Sequence, residues 1–199
     1  MRTGVPTPSE LLRRGLRLEY ATLAWNVVGA VVVLLAAASA RSVALAGFGL
    51  DSLIEILAST VVIWHLRDVA AERERPALRV LGFAFLALAV YVSIAAVVTL
   101  ARHEEPGTSP VGIAWTAITF AVMVALATAK GRTGAALGNR VLLTESRVTL
   151  IDACLAGAVL LGLMLNVAGL WWADPAAGFV IVGYAVKEGR AALREAAAL

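Results

Sequence analysis

Residues 43–66, VALAGFGLDSLIEILASTVVIWHL, form an apolar run long enough to cross a bilayer, and that run carries Asp51 and Glu55 near its middle. Few folds accommodate such a combination. Four residues apart, the two acids project from one face of a helix one turn from each other, so both can reach a single bound ion. On membrane-insertion scales one central acid costs roughly 2.5–3.5 kcal/mol, which makes the pair a functional site unless neighbouring Ser and Thr hydroxyls account for it structurally.

The other 175 or so residues agree with a membrane location. The chain of 199 residues is 60% hydrophobic and only 16% charged, whereas a soluble domain carries about 25% charged residues. The expected fold class is therefore an all-α integral membrane protein with six transmembrane helices. The spans are placed at about 18–39, 43–66, 78–100, 111–129, 142–168 and 175–188, within a membrane domain over 18–190. A cytoplasmic N-terminal segment, 1–17, precedes them, and a short cytoplasmic tail, 191–199, follows. The N-terminal segment lacks the apolar core and small-residue cleavage site of a secretory signal and is expected to stay in the mature protein.

Several function classes fall away. A net charge of +3 does not point to nucleic acid as a partner, because the basic residues lie beside the apolar runs instead of forming one patch. The single cysteine, Cys154, rules out an intramolecular disulfide and a thiol-rich zinc cluster. There is no GxxxxGK[ST] sequence, no nucleophile with a neighbouring base and no prosthetic-group motif, so neither an ATP-driven pump nor an enzyme is expected.

The basic residues set the orientation, because cytoplasmic flanks are enriched in Lys and Arg. The connections between spans one and two, three and four, and five and six hold only Arg41 and Arg102. The opposite side receives Arg2, Arg13, Arg14 and Arg17, the arginines of the charged second connection, then Lys130, Arg132 and Arg140, then Lys187, Arg190 and Arg194. Both termini are expected in the cytoplasm of a multi-pass protein of the inner or plasma membrane.

Depth follows from helix rise. Asp51 lies roughly 12 Å and Glu55 roughly 18 Å below the outer face, and Asp152 in the antiparallel fifth span lies roughly 15 Å from the inner one. Three carboxylates from two helices thus converge at mid-membrane and offer oxygen ligands to a dehydrated cation. Glu145, seven residues before Asp152, occupies nearly the same face about 10 Å nearer the cytoplasm. It reads as an entrance residue or as a partner of Arg147 or of a basic connection residue. Asn26 in span one either supplies a further oxygen or hydrogen-bonds a neighbouring helix. His65 and His103 read as interfacial or surface residues.

The residues also carry a family resemblance. SVALAGFGLDSLIEI resembles the second span of the cation diffusion facilitator family, where a Ser-x-Ala-Leu lead-in precedes an acid, three residues and another acid. WWADPAAGFVIVGYAVKEGR is similar to that family's Asp-Pro start of the sixth span and its basic exit. The resemblance runs from Leu18 to about Arg194. It implies a six-helix bundle in the lipid bilayer that exports a divalent metal ion in exchange for protons, with Asp51, Glu55 and Asp152 as metal ligands. It further implies a homodimer held through the membrane domain, since the family's usual C-terminal cytoplasmic domain is not expected here. Two residues depart from the pattern: Val148 stands where a His or Asp ligand is common, and Glu55 where Asp is frequent. An all-oxygen set weakens a strict zinc preference and brings manganese, iron and cobalt into range. The alternatives are an exporter of small organic cations, for which only Phe48 stands near Asp51 as an aromatic wall, and a non-transporting scaffold.

Overall fold

The computed structural model describes residues 7–66 and 74–198. It contains α1 (Pro8–Ala40), α2 (Val43–Leu66), α3 (Glu74–Arg102), α4 (Pro110–Leu137), α5 (Arg140–Val167) and α6 (Ala173–Ala198), with no strand among the described residues. The charged connection expected after the second span covers 67–77: residues 67–73 lie outside the described residues, as do Arg2 and the side chain of His65, and from Glu74 the chain is already α3.

Local chemistry explains where the helices begin and end. Thr7 caps α1 by accepting the Glu10 N–H, and the Glu10 carboxylate accepts the Thr7 N–H at 2.7 Å. That backbone N–H, with the Thr7 hydroxyl, holds the Glu10 carboxyl below the usual carboxylate range. Pro8 occupies the first turn, where a missing N–H leaves no bond unmade. At the far end Arg41 turns left-handed, with φ of 53°, and the chain reverses into α2 within two residues.

The start of α2 is capped from a distance. Asp174, fully buried at the beginning of α6, accepts the Ser42 hydroxyl at 2.5 Å and the Val43 N–H at 2.9 Å. The Ser42 oxygen in turn accepts the Leu45 N–H at 3.0 Å. These contacts satisfy N–H groups that a helix leaves unpaired in its first turn, and the carboxylate stands at the positive end of the helix dipole. The Ser-x-Ala-Leu and Asp-Pro segments singled out in the sequence are therefore two halves of one contact.

One expectation is corrected. Most of 130–140, the stretch left between the expected fourth and fifth spans, is helix and not connection, because α4 continues to Leu137. The actual turn is Gly138, at φ of 62°, followed by Asn139, which caps α5 by accepting the Leu142 N–H at 3.0 Å. The glycines serve close helix contact instead: a Cβ at Gly134 would meet the Leu143 backbone nitrogen at 3.0 Å. Lys130, assigned by sequence to a wet flank, is consequently inside the bundle and fully buried.

The helices pack as antiparallel pairs, α1 along α2, α4 along α5 and α3 along α6. Contacts of α1 with α4 and of α2 with α5 join the first two pairs into a four-helix group, and the α3–α6 pair lies against α2 and α5. Within that third pair, Gly82 and Gly189 face each other so closely that a Cβ on either would meet the other's carbonyl oxygen at 3.0–3.1 Å. Burial is inverted relative to a soluble bundle. Glu19, Asn26, Asp51, Glu55, Lys130 and Asp152 are buried, while Leu35, Phe83 and Ile94 point outward with 68%, 63% and 60% exposure. An outward apolar surface around buried charge suits lipid, not water. By length and composition four helices, α1, α3, α4 and α5, contain a stretch apolar enough to cross a membrane among the described residues.

Asp174→Ala is expected to destabilise the bundle by about 2 kcal/mol, the scale of a lost cap plus a stranded buried donor. Asp174→Asn, which keeps one acceptor, should lose roughly half as much. Thermal unfolding in detergent checks both, and equal losses would show that the charge matters and the cap does not.

Candidate metal centre

Asp51 and Glu55 stand one turn apart on the inner face of α2, and Asp152 faces them from antiparallel α5. One oxygen from each lies within 4.8 Å of the other two. All three side chains are buried, and Asp51 Oδ1, Glu55 Oε1 and Asp152 Oδ1 have no hydrogen-bond partner.

Those orphaned oxygens decide between the readings of the pair. Two hydroxyls on α2 do not serve the acids: Ser52 donates to Phe48 O at 3.1 Å and Thr60 to Ile56 O at 2.8 Å, within their own helix. Buried polar atoms are nearly always paired, so three unpaired carboxylate oxygens in one place are exceptional. Oxygen ligands sit about 2.0–2.6 Å from Mg²⁺ or Ca²⁺, so opposed ligands of one ion are about 4–5 Å apart. The cluster has that spread. An all-oxygen donor set suits a hard or intermediate divalent cation better than one seeking sulfur or imidazole.

Asn26 approaches from α1 and donates its Nδ2 to Glu55 Oε2 at 2.7 Å. This holds one oxygen of Glu55 and leaves the other turned to the cluster. Trp25, its neighbour, stacks on Trp115 at 4.9 Å and donates to Thr119 Oγ1 at 3.2 Å, which ties α1 to α4 beside the site. Val148, one turn before Asp152 on α5, is half-buried. His103 lies at the C-terminal end of α3, exposed, with its ring 5.6 Å from that of Trp171.

Glu145 is not brought into the three-acid cluster. Its Oε1 accepts from Lys130 Nζ at 3.3 Å, and the same ammonium donates to Glu19 Oε2 at 3.0 Å and to Thr149 Oγ1 at 3.1 Å. Its partner is thus Lys130 of α4 and not the adjacent Arg147. Tyr184 of α6 also went unnoticed in the sequence: its buried hydroxyl has no partner and lies within electrostatic reach of Asp152, Asp51 and Glu55. A lone Tyr among apolar residues gives no spacing signal, whereas Lys130, in a run of small residues, was visible as a charge whose depth was misjudged.

A helical bundle with an apolar outside and buried carboxylates converging inside has the make-up of an integral membrane protein. Residues 78–199 match the family of the cation efflux transmembrane domain, and the chain belongs to that family. The matched range includes Lys130, Glu145, Asp152 and Asp174, while Asp51 and Glu55 precede it. The chain is also similar to "Transmembrane protein 163" of Xenopus laevis, at 22% identity over 185 residues, covering 88% of this chain and 66% of that protein. The chain therefore spans slightly less than two thirds of the length of that curated relative.

Asn26→Leu removes the bond that holds Glu55, and divalent-ion affinity is expected to fall about tenfold, or about 1.4 kcal/mol. Val148→His should raise zinc affinity by at least about tenfold over wild type by adding an imidazole one turn from Asp152. Competition dialysis against a metal indicator reads both, and an unchanged zinc affinity would show that residue 148 does not face the ion.

Proposed function

We propose that the protein is a secondary-active carrier that moves a divalent metal ion out of the cytoplasm in exchange for protons, through Asp51, Glu55 and Asp152. The observation that carries this reading is the set of three unpartnered buried carboxylate oxygens contributed by two antiparallel helices. Membership of the cation efflux family supports cation transport as the general activity. The metal is cargo, and the chain's own groups do the remaining work.

Several carboxylates cannot stay ionised together in an apolar interior, so the cluster needs positive charge in every state of the cycle. A divalent ion supplies it in the loaded carrier and protons supply it in the empty one. Metal and proton compete for the same oxygens, which links the two fluxes without a separate proton site. The arginine-rich side, bearing Arg13, Arg14 and Arg17, is proposed as cytoplasmic, so loading occurs from the end where both termini lie. The donor set favours manganese, iron or cobalt over zinc.

In proteoliposomes loaded with a metal-sensitive dye, Asp51→Asn and Asp152→Asn are each expected to reduce divalent-ion flux by at least about a hundredfold while leaving the protein monodisperse. Full flux in either variant rejects the site, and efflux of a quaternary amine with no metal flux would favour the organic-cation reading. Lowering the pH should weaken metal binding, since protons win the shared oxygens as they become more abundant. Affinity that rises or holds constant from pH 8 to pH 5.5 would overturn the proton-exchange half of the proposal.

A further inference from the structure

The buried Lys130 cluster has the make-up of a cation site whose cation is part of the chain. Glu19 precedes Asn26 by seven residues on α1, and Glu145 precedes Asp152 by seven on α5. Seven residues are two helical turns, so both glutamates stand on the faces that carry the metal centre, about 10 Å nearer the end with both termini. Thr22 on α1 and Thr149 on α5 are buried between the two levels. A polar column therefore runs from Glu19 and Glu145 to Glu55 and Asp152, and Lys130 stands in it.

The ammonium does not exhaust its surroundings. A lysine has three N–H donors, and Lys130 spends them on Glu19 Oε2, Glu145 Oε1 and Thr149 Oγ1. Glu19 Oε1 remains, fully buried and without a partner. Thr149 donates its own proton to Glu145 O at 2.9 Å, which leaves its lone pairs turned to the cation. Two carboxylates and a hydroxyl, with one carboxylate oxygen in excess, are more than one lysine requires. One ammonium balances the charge of one carboxylate, and a second buried carboxylate adds desolvation cost with no second cation to balance it.

We infer that Glu19, Glu145 and Thr149 form a second station for an oxygen-preferring divalent cation on the path to the metal centre, which the Lys130 ammonium holds closed as a tethered competitor. The place of this station on a transport path rests on the function proposed above; the station itself rests on its own four oxygens. While the ammonium stays, a metal ion arriving from the terminal side meets a positive charge at the level of Glu19, Glu145 and Thr149. When the ammonium leaves, the oxygens it releases are ligands.

Equilibrium dialysis of full-length protein in detergent against Mn²⁺ tests this through the number of ions bound. Lys130→Met is expected to bind one ion more than wild type, Lys130→Arg the same number as wild type, and Lys130→Met with Glu145→Gln to lose the added ion. Asp152→Asn, measured alongside, removes the ion of the metal centre and leaves the added one of Lys130→Met in place. No added ion in Lys130→Met while wild type binds and Asp152→Asn does not would overturn the second station and leave the proposed transport site standing. An added ion in Lys130→Met with none in wild type would do the reverse. If Lys130→Met does not fold without metal, it is purified with Mn²⁺ throughout: monodisperse protein that is lost on chelation supports the station, and failure to recover it under Mn²⁺ overturns it.

Discussion

Charge inside an apolar bundle must be answered by charge or by a hydrogen bond, and this structure depends on how it meets that demand. Two answers and one deficit appear at three levels of the helices. Near the start of α2, Asp174 is answered by the Ser42 hydroxyl and by helix N–H groups. Near the terminal-side end, Glu19 and Glu145 are answered by Lys130. Between them Asp51, Glu55 and Asp152 keep oxygens that nothing in the described residues answers, and the proposed transport site rests on that deficit.

Much of this was legible because helix rise is a constant. Asp51, Glu55 and Asp152 share a depth by arithmetic alone, and the structure brings one oxygen of each within 4.8 Å of the others. The six helices were legible for the same reason, since long apolar runs leave the backbone no other way to satisfy its own hydrogen bonds. Lys130 was misplaced because Gly-rich basic composition describes both a solvated connection and a tightly packed helix end. What separates the two is a contact between Gly134 and Leu143 that depends on α5.

The role of Asp174 was hidden for a different reason. Its partners Ser42 and Val43 lie more than 130 positions away in the chain, and nothing in local periodicity joins them. The sequence marked both segments as distinctive and could not show that they touch. Asn26 was half legible: two roles were open to it, and its 2.7 Å bond to Glu55 selects the one that connects helices.

The pairing of helices gives the cluster a further property. Asp51 and Glu55 belong to the α1–α2 pair and Asp152 to the α4–α5 pair, so the three acids meet across a seam and not within one rigid unit. The Lys130–Glu19 bond and the Trp25–Thr119 bond cross the same seam. The distance from Asp152 to the two acids of α2 is therefore set by how the α1–α2 pair sits against the α4–α5 pair, so a contact that fixes the seam also fixes the spread of the three carboxylates.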